Sequence, residues 1–186
     1  VLQGRRVDLR KTISGGCTKL RTDHWGPSEE VPTLSGSFRH LKEHQRVGVR
    51  WLLAMHRSVP GMILADEMGL GKTLQTLCFL DALAAASPTK SLPSLIVVPA
   101  SLLDTWVNEA AKWTPALTVM KYHSSGGNER DELRNDFFDD PGRYRLIVTT
   151  AASVHNKDDQ RYFYRKVNFE YVICDEAHAF KNASSA

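Results

Sequence analysis

The residues Gly69-Leu70-Gly71-Lys72-Thr73 follow an apolar run, Gly61-Met62-Ile63-Leu64-Ala65, with Asp66-Glu67-Met68 between them. A strand, a glycine-rich loop and then a helix is the context a phosphate-binding loop requires. The two glycines let the backbone fold tightly, so that successive N–H groups and a helix N-terminus point at one anion. Lys72 can reach the β- and γ-phosphates of a nucleoside triphosphate, and the Thr73 hydroxyl can ligate magnesium. The loop departs from the usual pattern at one position: Asp66 stands where a glycine is common, five places before Gly71. On its own, Gly-x-Gly-Lys-Thr also fits a plain strand-to-helix turn.

A second group of residues narrows the choice. Tyr171-Val172-Ile173-Cys174 is an apolar strand, and Asp175-Glu176-Ala177-His178 follows it. An Asp at the carboxyl end of a strand can hold magnesium through its water shell, and the adjacent Glu can orient and deprotonate an attacking water. Adjacent acids alone would suit a solvated turn; a phosphate loop upstream, also ending a strand, makes catalysis the better reading. His178 is either structural or a coupling residue beside the acids.

These groups need a scaffold. Five short apolar runs read as strands: Met62–Ala65, Leu95–Val98, Thr118–Tyr122, Arg145–Thr149 and Tyr171–Cys174. Helical spacing marks Lys72–Ala86, Ser101–Trp113 and Glu129–Phe138, and an earlier helix carries Leu41, Gly48, Trp51, Leu52 and Met55 before Pro60-Gly61 ends it. Ser101 and Asp104 form a capping-box pair opening a helix that buries Leu103, Trp106, Val107 and Ala110; Trp113 also reads as core. Continuous apolar strands alternating with helices predict an α/β lobe of three layers, with a mainly parallel sheet and helices on both faces. In such a sheet ligands bind at the carboxyl ends of the strands. The Tyr162-Phe163-Tyr164 cluster falls in a loop between strands and reads as packing over the sheet edge.

Composition excludes several classes. The 186 residues hold 24 Lys and Arg against 21 Asp and Glu, a net charge of +3, and 42% hydrophobic residues. That suits one ordered domain with a sizeable core. The excess positive charge lies in residues 1–40, so the body is neutral and any nucleic-acid contact must use local patches. Residues 1–37, with Ser14-Gly15-Gly16, read as a basic, flexible leader, and 38–186 as the folded lobe. The longest uncharged stretch, Ser91 to Leu103, is too short and proline-broken to span a bilayer, so no membrane is expected. No secretory signal opens the chain, and its start at Val1 suits a piece of a longer protein. Cys17, Cys78 and Cys174 lack metal-ligand spacing, as in a reduced intracellular protein.

Taken in order and at their spacing, four segments resemble one family. They are Leu41–Leu52 with Gln45, Gly48 and Trp51; Asp66 to Thr73; Leu95-Ile96-Val97-Val98-Pro99-Ala100-Ser101 with Trp106; and Asp175 to His178 with Lys181-Asn182. Together they resemble the first RecA-like lobe of SWI/SNF-type chromatin-remodelling ATPases, in helicase superfamily two. The resemblance covers residues 38–182, and Asp66 is ordinary there. Asn156-Lys157-Asp158-Asp159 and Val167-Asn168-Phe169 also resemble the SMARCAD-like subfamily.

The resemblance implies ATP and Mg2+ as cofactors and double-stranded DNA or nucleosomes as partners, in a nuclear protein. Gln45 would read the adenine edge, and Asp66, Glu67, Met68, Gly69, Leu70, Gly71, Lys72 and Thr73 would cradle the phosphates. Asp175 and Thr73 would hold the metal, Glu176 would act on water, and His178 would couple the site to DNA. In the family an aromatic precedes the glutamine; here it is His44. The resemblance places DNA-backbone contacts at Ser101, which equally suits a helix cap, and at Thr149 and Thr150, which equally suit a strand end; Ala151 replaces a common aromatic. Tyr122-His123 and Arg130 resemble a further DNA-tracking segment, against which stands a solvated charged helix. The arginine that phosphoryl transfer often needs would lie on a second lobe. Residues 1–186 alone are therefore expected to be nearly inactive. A DEAH-type RNA helicase lobe, a small P-loop kinase and a nucleotide-gated scaffold remain alternatives.

Overall fold

The strands Ser94–Val98 (β2) and Leu146–Thr150 (β4) lie side by side in parallel, and every residue of both is buried. Burial on both faces explains why their sequences run apolar without alternation. The computed structural model describes residues 2–3, 36–56, 58–86, 92–123, 128–165 and 167–176. Its sheet has the order β1-β5-β2-β4-β3, where β1 is Leu2–Gln3, β3 is Val119–Tyr122 and β5 is Tyr171–Cys174. The last four strands are parallel, with Leu95 between Ile147 and Val172 and Val97 between Thr149 and Cys174; β1 pairs antiparallel to β5. Most of residues 1–37 lie outside the described residues; Leu2–Gln3 pairs as an edge strand, and Ser37 is buried, donating to Asp81 Oδ2 at 2.9 Å.

Two apolar layers sandwich the sheet. On one face Ile96, Val98, Leu146, Val148, Tyr171 and Ile173 meet α1 (Glu43–Met55), α2 (Lys72–Ala86) and α3 (Leu103–Trp113). On the other, Leu95, Val97, Met120, Tyr122, Ile147 and Val172 meet residues from α4 (Asn128–Asp139), α5 (Ala151–His155) and α6 (Lys157–Arg165). This is the three-layer arrangement expected. α2 crosses the first face through Phe79, fully buried, whose ring meets Tyr171 edge-on at 5.2 Å. Burying such a ring stabilises by roughly 1.5–3 kcal/mol. The Tyr171 hydroxyl meets His56 Nδ1 at 3.1 Å, tying the end of α1 to the same strand.

Three expectations need correction. The segment Met62–Ala65 is not a strand: Gly61 makes an isolated bridge, residues 62–67 make no ladder, and Ile63 is 63% exposed. A strand needs a neighbouring edge, and the outer edge of β5 is taken by β1. Ser101 does not cap α3. It lies exposed in a 3-10 turn, Ala100–Leu102, and Leu102 holds the cap position without a side-chain bond. Residues 157–165 are helix α6 rather than loop, although Phe163 does pack as expected, 3% exposed against Tyr122, Phe137 and Phe169. No described helix is long and apolar enough to cross a membrane.

Candidate active site

Gly69 and Gly71 have φ of +87° and +79°, the left-handed region that side chains oppose. The two reversals turn the chain from the irregular residues 62–67 directly into α2, whose first residue is Lys72. The first amides of this 15-residue helix have no carbonyl partner within it, and the helix dipole favours negative charge there. Lys72 Nζ folds back over the loop and donates to the carbonyls of Asp66 at 2.8 Å and Glu67 at 3.1 Å. Met68 is 89% exposed and Leu70 39%, so the loop crest is open. Thr73 is half-buried in the first turn of α2.

The Leu70 carbonyl gathers the elements around the loop. Gln45 Nε2 donates to it at 3.1 Å, Gln75 Nε2 at 3.4 Å, and His44 Nε2 lies at 3.4 Å. Gln45 also accepts at Oε1 from the Lys42 N–H at 2.9 Å, the third helical residue reaching back to the cap as in a capping box. The glutamine is thus 7% exposed and tied into the loop. Its amide keeps a second N–H and a second lone pair, which an adenine edge could engage. At Gly71 the left-handed φ favours glycine, and a Cβ there would lie 2.2 Å from Gln45 Nε2 and push that amide from its place. Sequence reasoning did not single out Gln75. It is fully buried and donates to Asp66 Oδ2 at 2.9 Å, which explains an acid at the position where a glycine is common.

The acids sit at the carboxyl end of β5, as expected. Asp175 Oδ1 accepts from the Glu176 N–H at 3.0 Å, and Asp175 Oδ2 accepts from the Trp106 indole N–H at 2.9 Å. The Asp175 N–H extends the ladder to the Val97 carbonyl at 3.0 Å. Glu176 then turns into the left-handed region, φ +49°, the one described residue other than glycine to do so. Such strain costs roughly 1–2 kcal/mol. Trp106 therefore does more than fill the core. Trp113, read from spacing as core, is half-buried, with its N–H on Glu109 Oε2 at 2.6 Å. The loop and the acids share one apolar layer, through Phe79 of α2, Tyr171 and Ile173 of β5 and Trp106 of α3. His178, Lys181 and Asn182 lie outside the described residues.

A triphosphate with magnesium fits this donor set. The glycine loop supplies backbone N–H groups, and Thr73 and Asp175 are the hard oxygen ligands that magnesium prefers.

The remaining residues behave differently from their DNA-contact readings. Thr149 is fully buried and its hydroxyl donates to the Tyr122 carbonyl at 2.7 Å. Thr150 caps α5, its Oγ1 accepting from the Ser153 N–H at 3.2 Å. Their hydroxyls serve the fold, so a DNA contact there is not offered by these side chains. Tyr122 and Arg130 turn inward as well: Tyr122 donates to Asp159 Oδ1 at 2.9 Å, and Arg130 Nε lies 3.6 Å from Asp159 Oδ2. Arg130 is thus held toward Asp159, on a helix whose Glu129, Asp131, Glu132 and Asp136 are exposed, as the solvated-helix reading expected. Ser101 stays exposed.

The sequence model of the SNF2-related domain matches residues 44–186. A relative from Xenopus tropicalis, the SWI/SNF-related matrix-associated actin-dependent regulator of chromatin subfamily A containing DEAD/H box 1, is 34% identical over 99% of this chain and 18% of its own length. The protein of the same name from Homo sapiens is 36% identical over 99% of this chain and 18% of its own length, and the Drosophila melanogaster homolog 40% over 95% and 20%. The chain thus spans a small part of these relatives. Among solved structures it resembles the Sulfolobus solfataricus SWI2/SNF2 ATPase core in complex with dsDNA, with a TM-score of 0.62 and 29% identity over 84% of this chain and 30% of that one. The core domain from the same organism gives a TM-score of 0.51 at 30% identity, over 73% of this chain and 25% of that one. The glycine loop, the acid pair ending β5 and the sheet that carries them agree with these matches: the chain belongs to the SNF2-related domain family, as a first RecA-like lobe of SWI/SNF type.

Proposed function

We propose that these residues are the ATP-binding half of a DNA-dependent ATPase that moves double-stranded DNA or proteins bound to it. The observation that carries this is the loop itself: Lys72 over two left-handed glycines at the start of α2, braced by Gln45 and Gln75. Lys72 leaves the Asp66 and Glu67 carbonyls for the β- and γ-phosphates. Gln45 reads the adenine edge. Thr73 and Asp175 hold magnesium, which when bound neutralises charge on the phosphates. Glu176 orients the attacking water and takes its proton. His178 couples the site to DNA, and Ser101, exposed in the turn that leads into α3, meets a DNA phosphate.

A second lobe in the same chain supplies the arginine that completes the reaction, so residues 1–186 alone turn over little. Residues 38–186 form the body of the lobe, Leu2–Gln3 lies along its sheet edge, and the basic residues between them are a leader. The chromatin regulators among the relatives favour a nuclear protein acting on nucleosomes. Binding of a fluorescent ATP analogue to Lys72→Ala tests the reading. Uptake equal to that of the unaltered protein rejects it; a loss, together with turnover in the full chain stimulated by duplex DNA and not by RNA, supports it over an RNA helicase.

A further inference from the structure

Helical spacing accounts for the Trp106 ring, 3% exposed near the start of α3, but not for where its N–H goes. That N–H donates to Asp175 Oδ2 at 2.9 Å, while Oδ1 accepts from the Glu176 N–H and the Asp175 amide is fixed on Val97. The backbone bonds fix where the residue starts; the indole is the tether on its carboxylate from another element. An indole N–H donates and cannot accept, and the Asp175 oxygen that it meets accepts, so the pair has one fixed sense. A donor to a charged oxygen is also among the stronger hydrogen bonds. Each carboxylate oxygen keeps a second lone pair for a metal-bound water.

The same helix begins at the exposed end of the lobe. The turn Ala100–Leu102 runs without a break into α3 at Leu103. Five residues, or roughly 8 Å along a helix, separate Ser101 from Trp106. A push on that turn therefore reaches the Asp175 carboxylate through one stiff segment and one hydrogen bond.

We infer that Trp106 is a positioning residue for the metal-holding acid: it orients Asp175 through its indole N–H and transmits movement of the α3 start, where DNA docks, to that carboxylate. The inference rests on the nucleotide and DNA reading above. Trp106→Phe in the full chain keeps a buried aromatic ring and removes the donor. The magnesium concentration needed for half-maximal binding of a fluorescent ATP analogue should rise roughly ten-fold, with binding in the absence of metal unchanged. The ratio of turnover with and without duplex DNA should fall as well. If either quantity stays at its unaltered value, or the variant only melts earlier, the inference is overturned.

Should Trp106→Phe fail to fold, 19F spectra of protein labelled with 5-fluorotryptophan decide, with Trp25→Phe, Trp51→Phe and Trp113→Phe used to assign the signals. The Trp106 signal should move on adding magnesium with nucleotide and, separately, on adding duplex DNA. A signal that ignores either addition overturns the inference. Lys72→Ala separates the two levels: if it abolishes nucleotide uptake while the Trp106 measurements show no effect, the role of Trp106 alone fails. If Lys72→Ala binds nucleotide normally, both readings fail.

Discussion

Gly48 and Gln75 occupy one space: a Cβ on Gly48 would lie 1.9 Å from Gln75 Oε1. Glycine in the middle of α1 is not required by backbone geometry and costs roughly 0.5–1 kcal/mol of helix stability relative to alanine. What it permits is the approach of α2. Gln75 is fully buried, its Oε1 has no hydrogen-bond partner among the described residues, and its Nε2 holds Asp66 Oδ2 and the Leu70 carbonyl. The absent side chain on one helix thus sets the amide that braces the phosphate loop on another.

Gly48→Ala should therefore weaken nucleotide binding without touching the nucleotide. The displaced glutamine costs roughly 1–3 kcal/mol of overpacking, partly offset by the better helix former. Gln75→Ala alone should also weaken binding, by freeing Asp66. In the double variant the added methyl enters vacated space, so its loss of stability should fall short of the sum of the two single losses by at least about 0.5 kcal/mol. Urea denaturation of the four proteins measures this, and strict additivity would show that the two residues do not share the space.

Much of the fold was legible because buried parallel strands announce themselves. Leu95–Val98 and Tyr171–Cys174 have no polar alternation, and both are strands where their sequences say so. Met62–Ala65 carries the same local signal and is not a strand, because pairing depends on which edge is open and β1 covers that of β5. The loop and the acids could be found because phosphate and metal chemistry demand particular residues at short spacing. Their supports could not. Gln75 meets Asp66 across nine residues, but Trp106 meets Asp175 across 69, and neither Gln nor Trp carries a motif that says which partner it will take. Ser101 misled for the opposite reason. A capping-box pair is a local pattern, and here α3 starts two residues later through a 3-10 turn.

Glu176 separates binding from chemistry. It follows Asp175 at a left-handed backbone position, and it is assigned to water rather than to the nucleotide. Glu176→Gln keeps the shape and removes the base. Nucleotide affinity should stay within about three-fold, while DNA-stimulated turnover in the full chain falls by roughly 10²–10⁴-fold. Equal losses in affinity and turnover would place Glu176 in the binding set instead.

Asp159 is a buried acid that sequence reasoning touched only as part of a subfamily resemblance. It has no exposed surface, yet Tyr122 donates to Oδ1 at 2.9 Å, Arg134 donates to the same oxygen through Nε at 3.2 Å and Nη2 at 2.9 Å, and Arg130 faces Oδ2. The acid thereby clamps α6 to α4 and β3. Removing one partner of a buried pair leaves an uncompensated charge, which costs roughly 3–5 kcal/mol; Arg130 nearby keeps Arg134→Met toward the lower end. Tyr122→Phe removes one bond to a charged acceptor and should cost roughly 1.5–3 kcal/mol. Chemical denaturation would count against the clamp if Arg134→Met were no less stable than Tyr122→Phe.

Alkali should loosen the layer on which the phosphate helix rests. Cys78 of α2 is 1% exposed, and its thiol is pushed up from 9.0 to about 11 by burial, with a smaller opposing hydrogen bond from Ser37 and a further small push from the charge on Asp81. The folded protein therefore keeps this proton at a pH where the unfolded chain has lost it. Unfolding releases a proton between pH 9 and about 11, so stability is fully present below pH 9 and declines across that window. The Tyr122 hydroxyl, also pushed up, chiefly by burial and then by Asp159, extends the decline to higher pH. Cys78→Ala should remove the Cys78 share, at most roughly 2–3 kcal/mol, and flatten the slope of urea-denaturation stability between pH 9 and 11. The same burial should protect the thiol from iodoacetamide at pH 8 until urea opens the fold, a difference mass spectrometry reads directly. Alkylation of Cys78 in the native protein at the rate seen in urea would mean that α2 does not lie closed against the sheet.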